Sequence, residues 1–184
     1  MREAAYDAEV VEKARLACLR SLKILDTESD ERIDRVTRLA AEHFQVPIVL
    51  VAMVDADRLW FKSRIGMDVS ETGRDKTFCS YTAKNRDPVI IPDALADEKF
   101  AQNPLVQGSP FIRFYAGCPL VIKSHAVGTL CISDRKPRDF SDADTAKLVS
   151  LAHTLERLLG SIQDTRHLLS QVETRSAQAN ATAP

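Results

Sequence analysis

The chain has 184 residues, of which 45% are apolar, and this suits one domain with a sizeable core. Its 25 basic and 26 acidic side chains leave a formal net charge of −1, which argues against electrostatic binding of nucleic acid or an acidic membrane. No apolar run approaches the roughly 20 residues that span a bilayer, and the N terminus lacks the apolar stretch of a signal peptide. We therefore expect a cytoplasmic protein without a nucleic-acid or membrane partner.

The four cysteines and four histidines show no metal-ligand spacing, and the cysteines form no CxxC pair. Strand periodicity places Cys118 and Cys131 on opposite faces of a hairpin, which disfavours a disulfide between them. The sequence therefore predicts reduced, mostly buried thiols and no metal site.

The first part of the chain predicts two helices. Residues 8–25 carry apolar side chains about one turn apart, so this helix packs on the domain or on a second copy of the chain. A second helix is predicted over residues 28–44. Thr27 with Asp30 three residues later, or Ser29 alone, offers its N-cap.

Two strands follow the second helix. Residues 48–54 are all apolar and predict a central strand that is covered on both faces. Residues 58–65 alternate, with Leu59 and Phe61 on one side and Trp60 among charged residues on the other. Two roles stay open for Trp60: it lines a ligand pocket, or it packs under the stems of neighbouring Lys and Arg side chains.

The middle of the chain is less regular. Residues 66–74 predict a loop, and residues 77–83 predict a short helix. Prolines bound residues 88–94, which favours a strand at the edge of a sheet. Residues 95–110 form a long connection of the kind that often serves as a lid or binding loop.

Residues 111–141 predict an antiparallel hairpin that leads through a Pro-containing loop into a helix. The predicted core face carries Phe114, Ala116, Cys118, Leu120, Ile122, Ala126, Gly128, Leu130 and Ile132. The other face mixes small, aromatic and polar side chains: Arg113, Tyr115, Gly117, Pro119, Val121, Val127, Thr129, Cys131 and Ser133. This mixed face suits the floor of a small-molecule pocket, and the alternative is a plain interior that tolerates a Thr and a Cys.

Ser141, with an acidic residue three positions later, predicts the start of the last helix. A heptad pattern follows, and seven of its eight positions are apolar. These positions are Leu148, Leu151, Leu155, Leu158, Ile162, Thr165, Leu169 and Val172. The pattern predicts a two-stranded coiled coil. The alternative is a helix that packs on the protein's own sheet, which explains the part near Leu148–Leu159 but not the part beyond Ile162.

Seven short motifs follow one another within residues 22–160: WFKS (60–63), TFCSY (77–81), DA (93–94), NPLV (103–106), RFYAGCPL (113–120), GTLC (128–131) and DRKPRDFS (134–141). Together they resemble a GAF domain of the bacterial sensor type. The resemblance implies an α+β fold with a central antiparallel sheet of five to six strands and a long C-terminal helix. It places the terminal helices on one face and a ligand pocket, with short helices and a loop, on the other.

The resemblance also implies a sensory or regulatory module of signal transduction, which binds a small molecule and transmits its occupancy through the terminal helices. A homodimer through these helices and an output domain or signalling partner are further expectations. The ligand and any cofactor are not identified by the sequence, because Arg86 and Ser80 depart from the cyclic-nucleotide and bilin patterns. The predicted division is an N-terminal dimerisation or linker helix (1–21), the GAF domain (22–160), a coiled-coil extension (161–175) and a disordered tail (176–184).

Ten residues are candidates to contact the ligand. Arg113 either takes a carboxylate or phosphate or pairs with Asp93 or Asp97, and the aromatic candidates either surround the ligand or form core. The ten are Trp60, Phe78, Cys79, Tyr81, Asp93, Phe100, Arg113, Tyr115, Thr129 and Cys131.

Cys79, at the start of a short helix, is the candidate for thiolate chemistry because the helix dipole can acidify its thiol. The free-methionine-(R)-sulfoxide reductases are a GAF-type enzyme family that uses pocket cysteines, and this activity is the alternative function. The sequence shows no resolving cysteine with matching surroundings and no other catalytic constellation. We therefore expect a binding module with no catalytic residue, and not an enzyme.

Overall fold

The computed structural model describes residues 2–75 and 77–181 of the chain. Within these residues the helices are α1 (Arg2–Ser21), α2 (Glu31–Phe44), α3 (Phe78–Asn85), α4 (Pro104–Gln107) and α5 (Asp142–Ala181). The strands are β1 (Ile48–Val54), β2 (Arg58–Ile65), β3 (Glu71–Gly73), β4 (Val89–Ile91), β5 (Phe114–Ile122) and β6 (His125–Asp134).

The strands form one antiparallel sheet in the order β3-β2-β1-β6-β5-β4. Strand β1 pairs with β2 and β6, and all seven of its side chains are buried, so the predicted central strand is confirmed. Strand β4 lies at one edge, as its flanking prolines predict. Strand β3 lies at the other edge, within residues for which the sequence predicts a loop.

The sheet separates two hydrophobic cores. The helix-side core lies between the sheet and helices α2 and α5, and it also takes Leu19 from α1. The cavity-side core lies between the opposite face and helix α3 with the connection around α4. Because both faces of the sheet are covered by apolar groups, the sheet is the middle of three layers, as the resemblance implies.

A bulge in the hairpin changes the predicted faces of two residues. Leu120 pairs with Gly128 and Val121 pairs with Ala126, so Val127 is an extra residue on β6. Val127 therefore joins the helix-side core and Ala126 the cavity-side core, and the predicted faces of these two residues are wrong. A pattern of strict alternation does not show an inserted residue. The insertion reverses the predicted faces of all strand residues on one side of it.

The N-cap of α2 is Asp30 itself. Its carboxylate accepts a hydrogen bond from the backbone N–H of Arg32 at 3.1 Å, while the Thr27 hydroxyl donates to the carbonyl of Ile24. The helix therefore begins three residues later than the sequence predicts, at Glu31.

Helix α5 begins with the predicted cap. The backbone N–H of Asp144 donates to the hydroxyl of Ser141 at 3.1 Å, and the Ser141 N–H donates to the Asp144 carboxylate at 3.0 Å. Buried α5 residues of the helix-side core occupy six apolar positions, namely Leu148, Leu151, Ala152, Leu155, Leu159 and Ile162. The first part of the predicted coiled-coil seam, as far as Ile162, therefore packs on the protein's own domain.

The helix continues through Ala181, where the sequence analysis expects a disordered tail from residue 176. Residues 176–181 include three alanines and neither Gly nor Pro, a composition that permits a helix. The rest of the expected tail, residues 182–184, lies outside the described residues. Among the helices that the structure describes, none is long and apolar enough to cross a bilayer.

An ion-pair cluster fixes α1 to the domain. Arg15 is 8% exposed, and its guanidinium donates to both carboxylate oxygens of Glu12 at 2.8 Å and to the carbonyl of Val54 at 2.6 Å. Arg74 adds a hydrogen bond to the same carboxylate at 2.5 Å. The hydrogen bond from Arg15 is the main reason that the pKa of Glu12 falls from 4.5 to about 2.

We expect Glu12 to make the stability of the protein depend on pH. Because its pKa is lowered by folding, its contribution is present above pH 4.5 and is lost as the pH falls towards 2. The free energy of unfolding of wild type should therefore exceed that of Glu12→Gln at neutral pH, and the gap should close on acidification. Urea denaturation across this range measures the gap, with the exposed Glu9→Gln as control. A gap that is independent of pH contradicts the prediction.

Candidate functional site

A small cavity lies between the sheet and helix α3, with a volume of about 60 Å³. The strands β1, β2, β3, β5 and β6 all contribute side chains to its lining. Its roof comes from α3 and from two connections, one after β2 and one around α4. The lining residues are Ile48, Leu50, Leu59, Phe61, Met67, Thr72, Thr77, Phe78, Cys79, Leu105, Pro110, Ile112, Tyr115, Cys131 and Ser133.

The size and lining of the cavity limit what fits. Pockets for drug-sized ligands usually measure about 300–1,000 Å³. At about 60 Å³ this cavity admits only a very small guest unless the roof moves. Most of its lining is aliphatic or aromatic, with hydroxyl and thiol groups as the polar exceptions. Such a wall favours a largely apolar guest with few hydrogen-bonding groups.

Helix α3 carries Phe78 and Cys79 into the cavity wall. Its N-cap is Thr77, whose hydroxyl accepts a hydrogen bond from the backbone N–H of Ser80 at 3.2 Å. Because the cap fixes the start of the helix, Phe78 and Cys79 fall in its first turn and face the sheet.

Four predicted site residues form one aromatic stack above the sheet. Phe78 lies between Tyr115 and Phe100, with ring centroids 4.9 Å and 4.6 Å away, respectively. Tyr81 packs edge-on against Phe100 at 5.4 Å. Phe78 and Tyr115 line the cavity, whereas Phe100 and Tyr81 lie behind them. The stack therefore supports the wall from the outside.

Tyr115 is fixed by a hydrogen bond and by a glycine. Its hydroxyl lies 2.8 Å from that of Thr82, which in turn lies 3.0 Å from the carbonyl of Phe78. A Cβ atom on Gly117 would lie 2.2 Å from the Tyr115 hydroxyl oxygen, so only glycine leaves room for the ring. Burial raises the pKa of Tyr115 well above its ordinary value, and the phenol stays protonated at neutral pH.

Two thiols meet in the cavity wall. The Sγ atoms of Cys79 and Cys131 lie 3.4 Å apart, and both residues are buried. The hydrogen bond from the Cys131 thiol lowers the pKa of Cys79 despite burial, and the same contact raises the pKa of Cys131. By contrast, burial raises the pKa of Cys118, in the other core, to about 12. Cys79 therefore carries the more acidic thiol of the pair.

Trp60 does not reach the cavity. It is 7% exposed and belongs to the helix-side core, on the opposite face of the sheet. The ammonium of Lys62 lies 5.8 Å from its ring centroid, so the structure agrees with the second of its two predicted roles. The structure therefore places Trp60 away from this cavity.

Arg113 is occupied by a partner within the protein. Its Nε and Nη2 donate to the two carboxylate oxygens of Asp93, both at 2.7 Å. This bidentate pair lowers the pKa of Asp93 and ties the two ends of the connection that carries α4. Neither residue lines the cavity, and the alternative in which Arg113 pairs with Asp93 is the one observed.

Thr129 is fully buried on β6 but does not line the cavity. Its Oγ1 has no hydrogen-bond partner among the described residues. Four of the ten predicted residues thus line the cavity: Phe78, Cys79, Tyr115 and Cys131.

The sequence analysis missed the aliphatic part of the lining. Ile48 and Leu50 come from the continuous apolar strand β1, where alternation assigns them to one face without showing which face it is. Met67, Leu105 and Ile112 come from connections, and of these only Leu105 lies within the long connection predicted at 95–110.

A family model described as GAF domain matches residues 28–159 of the chain. A cyclic di-GMP phosphodiesterase of Pseudomonas aeruginosa is 35% identical over 159 residues, which are 85% of this chain and 27% of that protein. The chain therefore spans about a quarter of the length of this curated relative.

Solved structures share the fold at low sequence identity. The GAF domain of an Acinetobacter phosphoenolpyruvate-protein phosphotransferase superposes with a TM-score of 0.62 at 20% identity, over 80% of this chain and 93% of that chain. Free methionine-R-sulfoxide reductase of Neisseria meningitidis, in complex with its substrate, gives 0.62 at 18% identity, over 80% and 89%. The blue-light-absorbing form of the Thermosynechococcus elongatus PixJ GAF domain gives 0.62 at 14% identity, over 78% and 92%.

The phosphodiesterase relative corrects one expectation from the sequence. We expected that the protein is not an enzyme, and a protein that is 35% identical over most of this chain is named as one. The expectation rested on the lack of a catalytic constellation in the chain, which says nothing about other segments of such a protein.

The matched family model, the six-stranded sheet and the three layers all agree with the resemblance, and the chain belongs to the GAF domain family.

Proposed function

We propose that this GAF domain is a sensory module that binds a small, largely apolar molecule between the sheet and α3, and that its occupancy regulates hydrolysis of cyclic di-GMP. The observation that carries the proposal is the cavity at Cys79, Tyr115 and Cys131, which is walled almost entirely by apolar groups. The phosphodiesterase relative supports the regulated reaction, because its similarity extends over this domain.

The proposed route of regulation runs through the roof and the sheet. A guest larger than the present cavity must displace Met67, Leu105 or Ile112, and these residues belong to the two roofing connections. Asp93 and Arg113 join the ends of the connection that carries α4, so a movement there reaches β5. Strand β5 contacts α5, which leads away from the domain.

The variant Cys131→Met tests this proposal, since the longer side chain fills the cavity from β6. Cys118→Met is the matched control, because it adds the same atoms to the neighbouring strand on the opposite face. Native mass spectrometry of protein purified from its own host should show a retained small molecule in wild type and Cys118→Met and none in Cys131→Met.

The proposed regulation of cyclic di-GMP hydrolysis is tested on the natural full-length protein. Its rate of cyclic di-GMP hydrolysis should change at least about threefold in Cys131→Met, which corresponds to a change of at least about 0.6 kcal/mol in barrier height, and should stay at the wild-type value in Cys118→Met. Equal rates in all three proteins contradict the regulatory role, and equal retention of the small molecule contradicts the site.

The proposal includes a cytoplasmic homodimer. The four cysteines are free in the structure, which suits a reducing compartment. In this proposal the seam between two α5 helices lies where the apolar heptad pattern continues past Ile162. Light scattering should give the mass of two chains, and the mass of one chain contradicts the dimer.

A second candidate function rests on the thiol pair. Two thiols whose sulfur atoms lie 3.4 Å apart supply the two electrons and two protons that reduce a sulfoxide to a thioether and water, leaving a disulfide. In this second proposal Cys131 is the resolving thiol for Cys79, a role that the sequence alone does not assign. Reduction of free methionine sulfoxide with a dithiol as reductant should then be lost in Cys131→Met and kept in Cys118→Met. Activity in all three proteins, or in none, contradicts this function.

A further inference from the structure

A second cavity, separate from the first, lies between helices α1 and α3 near the start of β6, with a volume of about 460 Å³. This volume falls within the range usual for small-molecule sites. The lining residues are Ala8, Val11, Glu12, Arg15, Val54, Arg74, Ser80, Ala83, Lys84, Arg86, His125 and Ala126. Four of them are permanently cationic side chains, and one is a carboxylate.

The single carboxylate of this lining is already neutralised within the protein. Both oxygens of Glu12 accept hydrogen bonds from Arg15, and Arg74 donates to one of them as well. The pKa of Glu12 falls to about 2 chiefly because of the Arg15 hydrogen bond, so the group is an anion at every physiological pH. One arginine is therefore enough to balance it, and the cavity keeps an excess of positive charge.

The excess positive charge lies on Lys84 and Arg86, whose side chains are not paired within the described part of the protein. Lys84 and Arg86 are exposed at the end of α3, and their side chains have no hydrogen bond or ion pair with any described residue. The Nδ1 atom of His125 is buried and likewise lacks a hydrogen-bond partner among the described residues. Lys84 and Arg86 thus remain available to a guest of the cavity, whereas the Nδ1 atom of His125 has almost no accessible surface.

We infer that this second cavity binds a small molecule carrying a diphosphate or polyphosphate group. Guanidinium and ammonium groups are the usual partners of phosphate oxygens, and a cluster of cations suits an anion with several charges better than a single carboxylate. The apolar remainder of the wall, from Val11, Ala83 and Ala126, accommodates the organic part of such a ligand.

The inferred site joins α1 to α3. Glu12 and Arg15 belong to α1, whereas Lys84 and Arg86 lie at the other wall, so a bound phosphate holds the two elements together. The inference does not depend on the proposed sensory function, because it concerns a different cavity and different residues.

The test uses inorganic pyrophosphate as the probe. Isothermal titration calorimetry at low ionic strength should show saturable binding to wild type, weakened at least about tenfold in the double variant Lys84→Gln with Arg86→Gln. Arg35→Gln with Lys147→Gln removes the same charge from exposed positions outside the cavity and should bind like wild type. NMR amide shifts on adding pyrophosphate should concentrate at Val11, Ala83 and Ala126.

Four outcomes overturn the inference. Wild type shows no saturable binding of pyrophosphate, or the control variant loses as much affinity as the cavity variant. The cavity variant loses thermal stability while its affinity for pyrophosphate is unchanged, which means that Lys84 and Arg86 only stabilise the C terminus of α3. Finally, a glutamate-rich peptide competes more strongly than pyrophosphate, which assigns the cavity to an acidic protein segment.

Discussion

Replacing Phe78 with alanine is expected to lower the free energy of unfolding by about 3–5 kcal/mol. Phe78 is 2% exposed and stacks against both Tyr115 and Phe100, so the substitution removes two ring contacts and leaves a void that the neighbouring sheet cannot fill. Urea denaturation measures the loss. The void adjoins the small cavity, and we therefore expect the variant to admit larger apolar guests than wild type.

Phe111→Ala is the matched control for Phe78→Ala. Phe111 is 56% exposed, and its removal should change the free energy of unfolding by less than about 0.5 kcal/mol. If Phe78→Ala lowers the free energy of unfolding by less than about 1 kcal/mol, the aromatic stack does not support the cavity wall.

The second large effect is expected at Gly117. A Cβ atom there would lie 2.2 Å from the Tyr115 hydroxyl oxygen and 2.6 Å from the ring carbon that bears it, so Gly117→Ala must move the ring. Because Tyr115 is 1% exposed and packed against Phe78, the movement should cost about 1–3 kcal/mol. It should also break the hydrogen bond to Thr82, and the near-ultraviolet absorption of the tyrosine reports that change.

Gly160→Ala provides a control of opposite sign. Nothing lies within 4 Å of a Cβ atom at this position of α5, so alanine should raise stability by about 1 kcal/mol through its helix propensity. Thermal denaturation of both variants separates the steric effect from the general effect of the substitution. Equal stability of wild type and Gly117→Ala contradicts the assigned packing.

The regular part of the fold was predictable because its signals are local. The boundaries of β2 and the central position of β1 follow from alternation and from a continuous apolar run. The same alternation grouped Tyr115 correctly with Cys131, on the face opposite Phe114. In each case a few neighbouring residues carry the whole pattern.

The site was predictable only in part because its decisive features are not local. Alternation places Trp60 opposite Phe61, but both faces of the sheet are buried, so it does not show which one holds the cavity. Cys79 and Cys131 are 52 residues apart, and only the packing of α3 on the sheet brings their sulfur atoms together. The bulge at Val127 is not visible when the sequence of β6 is read with a period of two residues.

Helix α5 has a mechanical consequence for the domain. Ile162 is the last of its described side chains in the helix-side core, and the helix continues for about 28 Å to Ala181 at 1.5 Å per residue. A tilt of about 5° at the core end therefore displaces the far end by about 2.5 Å. The helix acts as a lever arm, so a rearrangement of the sheet too small to change its hydrogen bonding is magnified at a distance from the domain.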